Sequence, residues 1–198
     1  MKIYDFDQQS DEWFNIRIGK FGASKAAELL MSPSTNGYNN LINLKVYQKL
    51  TGETPNDLYQ NDWMERGTEL ESEARQTFEY LTFTKVSQIG YIERDEWTGC
   101  SPDGLINPDG LLQIKCPKYS VHIDYLLSNK IPDNYYKQCQ YELMITERKY
   151  NIFFSYHPKL KPFIFKIQRD ENLIKNIEIK LKHAIQDVKS RIAILKGI

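Results

Sequence analysis

The chain of 198 residues has no apolar run of about eighteen residues, the length that a membrane-spanning helix needs. Its first residues, Met1-Lys2-Ile3-Tyr4-Asp5, lack the charged-then-apolar layout of a secretory signal, so a cytoplasmic protein is expected. Cysteine is scarce. Cys100, Cys116 and Cys139 are odd in number and widely spaced, which argues against a disulfide framework, a four-cysteine metal site or an iron–sulfur centre; buried thiols are expected. Histidine is equally rare, and His122, His157 and His183 share no pattern that would support histidine-based catalysis. There is no repeat, no low-complexity tract and no long Gly/Ser/Pro linker, so a single domain spanning residues 1–198 is expected. Net charge is lacking too, at +0. Its distribution is uneven: residues 159–198 hold ten Lys and Arg against four Asp and Glu, and the remainder is correspondingly acidic. That basic tail suits phosphates, an acidic partner or a solvated helix face.

What is present is patterned. Ser10 caps a short helix from Asp11, and a second helix is predicted over Ala23–Met31. Ser32–Gly37 reads as a loop and Leu41–Leu50 as a helix stopped by Gly52. A longer helix is predicted from Asp62 to Tyr80, with Trp63, Leu70, Ala74, Phe78 and Leu81 at helical spacing. Val86–Arg94 reads as one strand, and two more flank the turn Asn107-Pro108-Asp109-Gly110. A helix over Asn134–Ile145, strands at Ile152–Tyr156 and Phe163–Ile167, and a closing helix Glu171–Leu195 complete the pattern. This order gives an α/β layer fold with a mixed central sheet flanked by helices.

The chemistry gathers at Ser101-Pro102-Asp103-Gly104 and Leu112-Gln113-Ile114-Lys115-Cys116-Pro117. Strand alternation puts Gln113 and Lys115 on one face, and the turn folds Asp103 back beside Gln113. A carboxylate, an amide oxygen and a lysine so placed suit phosphodiester hydrolysis. Mg²⁺ prefers hard oxygen ligands, here Asp103, Gln113 and the Ile114 carbonyl. Lys115 can orient or deprotonate a water, or neutralise charge growing on the phosphate. On the long helix, at ~100° per residue, Glu71 lies nearest the buried stripe. It needs a partner there, either a cation or a Lys or Arg. Taken alone, Asp-x9-Gln-x-Lys arises by chance in many chains, and a polar hairpin beside a turn accounts for it.

The longer string resembles the PD-(D/E)xK nuclease signature, and specifically the lambda exonuclease family of phage recombination nucleases. Three further segments agree in order: Arg17-Ile18-Gly19 with Ala23-Ser24, Gly67–Arg75, and Gln138-Cys139-Gln140-Tyr141. The resemblance covers residues 10–157 or so. It implies a restriction-endonuclease-like core and a Mg²⁺-dependent exonuclease, with Mn²⁺ as a substitute cation. It implies digestion of one strand of duplex DNA from its 5′ end, in phage-type recombination inside a bacterial host cell. Asp103 matches the metal-binding aspartate, Lys115 the catalytic lysine and Glu71 the helix carboxylate. Arg17, with Ser24 and Gln138, matches the group that engages the 5′-phosphate; read without the family, Arg17 is an ordinary helix-end charge. Partners implied are double-stranded DNA ends, two further copies in a trimeric ring, and a single-strand annealing recombinase.

One position departs from the family pattern. Gln113 stands where the resemblance expects Glu, so the site keeps a carbonyl oxygen and loses a negative charge. Three accounts follow: a variant that still cuts, an introduced Glu-to-Gln change, or a DNA-end-binding clamp that no longer cuts. A restriction or junction-resolving endonuclease of the same superfamily is the further alternative.

Overall fold

The computed structural model describes residues 1–55 and 62–197. In chain order its elements are β1 (Lys2–Tyr4), α1 (Asp11–Arg17), a 3₁₀ turn (Ala23–Lys25), α2 (Ala26–Leu29), α3 (Asn36–Thr51), α4 (Asp62–Thr82), β2 (Val86–Ser87), β3 (Tyr91–Glu93), β4 (Gly99–Cys100), β5 (Gly104–Ile106), β6 (Gly110–Lys115), α5 (Tyr119–Ser128), α6 (Asp133–Thr146), β7 (Tyr150–Ser155), β8 (Phe163–Gln168) and α7 (Glu171–Lys196). This is a mixed α/β fold, as the element order predicts. Among the described residues no helix is long and apolar enough to cross a membrane.

The larger sheet runs β2-β5-β6-β7-β8, and a smaller one runs β1-β3-β4. β6 and β7 are parallel; the other pairs in the larger sheet are antiparallel. A parallel pair needs a long crossover, and α5 with α6 supplies it. β6 is therefore central and buried along nearly its whole length. Leu111, Leu112, Phe153 and Phe154 are each 0% exposed. Burial of each such side chain contributes roughly 1.5–3 kcal/mol, which fixes the register of the strand that carries the chemistry.

Caps follow the sequence where the sequence has cap residues. Ser10 Oγ accepts from Trp13 N at 3.2 Å, and α3 stops at Gly52 in the left-handed region, φ 73°. Other expectations need correction. Ala23–Met31 is not one helix: a 3₁₀ turn leads into a single α-helical turn that ends at Leu29. The loop before α3 is shorter than expected, because Thr35 caps a helix that starts at Asn36. Val86–Arg94 is split between the two sheets. At the break, Gly90 packs so close to Phe6 that a Cβ there would lie 2.2 Å from the Phe6 carbonyl oxygen. On α4, Ala74 and Phe78 are buried, but Leu81 is 46% exposed, so the stripe ends one turn early. Trp63 lies outside the residues whose side chains are described. β1, β4 and α5 are elements that the pattern did not predict.

Candidate active site

The hairpin β5–β6 brings the first two site residues together by register alone. Gly104 pairs with Leu112, and Asp103 N donates to Leu112 O at 3.1 Å, so Asp103 sits opposite Gln113. Asp103 Oδ2 accepts from Gln113 Nε2 and, at 2.6 Å, from Ile114 N. Gln113 thus turns its amide nitrogen, not its oxygen, toward the carboxylate. The physical reason is that an acceptor takes the donor end of an amide. Ile114 likewise meets Asp103 through its N–H. Lys115 projects from the end of β6 with Nζ 5.2 Å from the centre of the Tyr135 ring.

From the other side comes α6, whose C-terminal half is buried all round. Gln138 Nε2 donates to Gln113 Oε1 at 2.6 Å and to Glu142 Oε1 at 3.1 Å. Asn151 Nδ2, on β7, donates to Glu142 Oε2 at 2.8 Å. Two amides, Gln113 and Gln138, therefore link two buried acids, Asp103 and Glu142. Sequence reasoning missed Glu142. Its signal was present: it lies one helical turn after Gln138, on the same face.

The electrostatics follow from burial. Desolvation pushes Asp103 up to about 7, against Lys115 and the Ile114 amide and with added repulsion from Glu71. Glu142, 0% exposed, is pushed up to about 8 by burial and by Asp103. Burial pulls Lys115 down, but Asp103, Tyr135 and Glu142 more than offset it, and the ammonium is held above its ordinary value.

Arg17, Ser24 and Gln138 line the same cavity of about 160 Å³ as Asp103, Gln113, Lys115 and Glu142. Arg17 is not an ordinary exposed helix-end charge. Its guanidinium lies 3.6 Å from the centre of the Trp13 ring, and Trp13 Nε1 is anchored to Ser101 Oγ at 2.9 Å. Burial lowers Arg17 to about 10, partly offset by Tyr91. Behind it, Lys45 is buried and donates to Gln48 Oε1 at 2.9 Å. Burial, with Arg17, Lys25 and Lys49, lowers Lys45 to about 7. Lys45 also went unnoticed in the sequence, where it reads as one more helix lysine.

Glu71 stands apart. It lines a neighbouring cavity of about 320 Å³, of which Asp103 forms part of the wall. Of the two partners the sequence allowed, a basic side chain is present: Arg75 Nη2 lies 2.5 Å from Glu71 Oε1. Among the described residues no three Asp, Glu, His or Cys side chains gather closely enough to hold an ion by themselves. The residues nevertheless fit a hard divalent cation. Asp103 is a buried carboxyl, Glu142 lines the same cavity and Glu71 the neighbouring one, and the Gln113 amide oxygen, which accepts from Gln138 here, would have to exchange that partner to join an oxygen set with water.

Comparison with known proteins gives a consistent result. Residues 12–149 match the YqaJ-like viral recombinase domain. An alkaline exonuclease, LHK-Exo, from Laribacter hongkongensis is 34% identical; the alignment covers 95% of this chain and 97% of that one, with a TM-score of 0.88. The same enzyme in complex with dAMP aligns equally well, at 33% identity over 95% of this chain and 97% of that one, with a TM-score of 0.88. A phage-related exonuclease from Haemophilus somnus 129PT shares the fold at 15% identity, with a TM-score of 0.75 over 89% of this chain and 96% of that one. No curated protein matches the chain.

Proposed function

The chain belongs to the YqaJ-like viral recombinase family, and on that premise we propose that it is a divalent-cation-dependent exonuclease that digests one strand of duplex DNA from its 5′ end. The observation that carries this reading is one cavity that joins Asp103, Gln113 and Lys115 to Arg17, Ser24 and Gln138. Acidic groups for a cation and a basic grip for a phosphate thus share one space.

When bound, Mg²⁺, or Mn²⁺ in its place, supplies polarisation of the scissile phosphate. Asp103, Gln113, the Ile114 carbonyl and Glu71 are the groups that would hold it. Lys115, kept protonated by its neighbours, acts as a donor: it orients the attacking water and stabilises charge on the phosphate oxygens. Arg17 grips the terminal 5′-phosphate through paired hydrogen bonds, with its guanidinium packed over the Trp13 ring. Ser24 adds a donor at the same phosphate, and Gln138, whose two N–H groups go to Gln113 and Glu142, lines the cavity beside it. A relative solved with dAMP agrees with release of 5′-mononucleotides.

The reading extends to three copies closed around the duplex, to a single-strand annealing recombinase as partner, and to action in the cytoplasm of a bacterial host. In such a ring the basic groups need only line the channel, so a chain of +0 net charge can hold DNA. Light scattering at working concentration checks the trimer.

Incubation of 5′-phosphorylated linear duplex with the protein and Mg²⁺ is expected to release mononucleotides and to leave circular duplex intact. If neither this chain nor its Gln113→Glu variant releases them while both stay folded, the activity is lost from the account. Cleavage of the circle would point instead to an endonuclease. A second reading, a DNA-end clamp that does not cut, is favoured by one feature, the neutral Gln113 clasped between Asp103 and Gln138. It expects binding of ends without turnover, unchanged by Gln113→Glu.

A further inference from the structure

We propose that Glu142 is the second acidic group of the cation site, carrying on α6 the negative charge that β6 lacks at position 113. The inference rests on the nuclease reading above. Its basis is a convergence of two oxygens on one nitrogen. Gln113 Oε1 and Glu142 Oε1 both accept from Gln138 Nε2, at 2.6 and 3.1 Å. Glu142 therefore reaches the place served by the position-113 side chain, from the opposite layer of the fold. Both residues line the cavity that holds Asp103 and Lys115.

Charge completes the argument. Glu142 is 0% exposed, and among the described residues its hydrogen-bond partners are two neutral amides, Gln138 and Asn151. The positive group that favours its charged form is Lys115, which it shares with Asp103, so one ammonium serves two buried carboxyls. Asn151 holds Oε2 from the β7 side, while Oε1 shares the Gln138 amide with Gln113 beside the cavity that both residues line. Position 113 shows the complementary adjustment. Its amide donates to Asp103, which a carboxylate there could not do. With Glu at 113, three acids would stand along one hydrogen-bonded chain and repel. Gln113 and Glu142 are thus a matched pair: the carboxylate has moved from strand to helix, and the number of negative charges available to a cation is kept.

The test is calorimetric titration of Mn²⁺ into the folded protein without DNA, so that the readout is binding and not turnover. Glu142→Gln is expected to weaken Mn²⁺ by about tenfold or more, and the double variant Gln113→Glu/Glu142→Gln to recover to within about fivefold of the parent. Loss of less than about fivefold in Glu142→Gln overturns the proposal, as does a double variant that remains more than about fivefold weaker than the parent. Should circular dichroism show that Glu142→Gln does not fold, the double variant, which keeps the charge count, decides by the same limit. Asp103→Asn separates this inference from its premise. If Asp103→Asn abolishes Mn²⁺ binding while Glu142→Gln leaves it intact, only the role of Glu142 falls. If Asp103→Asn also leaves it intact, the cation-dependent reading falls with it.

Discussion

The two walls of the cavity are charged oppositely and tuned toward neutrality by the same cause. On one wall stand Asp103 and Glu142, pushed up by burial to about 7 and about 8. On the other stand Arg17 and, behind it, Lys45, pulled down by burial to about 10 and about 7. Each wall gathers like charges in a poorly solvated place, an arrangement that clusters at functional sites. The acidic wall suits a cation and the basic wall suits an anion. A metal-loaded DNA end presents both.

The largest effect should come from breaking the acidic wall. Asp103→Asn keeps the shape of the side chain but removes the charge nearest the expected cation. Exonuclease turnover should fall by about a thousandfold or more, with the fold retained by circular dichroism. Lys115→Ala should cost about a hundredfold to a thousandfold, as loss of one preorganised donor does. Equal activity in either variant would detach the chemistry from this cavity.

Breaking the basic wall should be milder and more selective. Arg17→Ala should weaken binding of 5′-phosphorylated ends by about ten- to a hundredfold, the worth of a charge-assisted pair of hydrogen bonds. Ends bearing a 5′-hydroxyl should lose little. Arg17→Lys should recover only part, because a point charge neither forks onto a phosphate nor stacks on Trp13. A loss that is equal for both kinds of end would mean that Arg17 only shapes the wall.

The walls also differ in how stability should depend on pH in chelator. The raised carboxyls of the acidic wall bind protons more tightly folded than unfolded. Their contribution is complete below about pH 4 and is lost as pH rises through about 7 to 8. The depressed Lys45 works in the opposite sense: unfolding takes up a proton above about pH 7, so stability recovers as pH climbs from there toward the ordinary lysine value. Melting temperature should therefore fall between pH 5 and pH 8 by several degrees, and Glu142→Gln should flatten that fall. Mg²⁺ should raise it more at pH 8 than at pH 5. Lys45→Met should flatten the rise on the alkaline side.

These walls were unequally legible in the sequence. The hairpin was readable because the turn Asn107–Gly110 and strand alternation are local rules, and they alone put Asp103 beside Gln113. Arg17, Ser24 and Gln138 come from three separate elements, so only the family resemblance placed them together. Glu142 had only its spacing from Gln138 to mark it and Lys45 had no local mark at all, since the character of both arises from burial, which tertiary packing decides. The same limit explains the elements that were missed. β1 has three residues, β4 has two, and α5 starts at Tyr119, with Lys118 at its cap position making no side-chain cap bond to announce it. The single expected strand over 86–94 failed because Gly90 is needed where the chain passes Phe6, a contact some 80 residues distant in sequence.

Glu71 sharpens the comparison because it is an acid near Asp103 that already has a cation of its own. Arg75 lies 2.5 Å from it, and the two side chains are 29% and 11% exposed. An acid in direct contact with a guanidinium has less charge to give a metal than Glu142, whose hydrogen-bond partners are amides and whose nearby Lys115 is shared with Asp103. Glu71→Gln should consequently cost only about tenfold in turnover, well short of Asp103→Asn. Stability should drop by about 1 kcal/mol or less, because the pair is partly screened by solvent. Adding Arg75→Met to Glu71→Gln should restore that stability, since a buried guanidinium would no longer lack its counter-charge, but should not restore turnover. A Glu71→Gln variant as inactive as Asp103→Asn would show that Arg75 yields Glu71 to the cation, and that the acidic wall extends across both cavities rather than one.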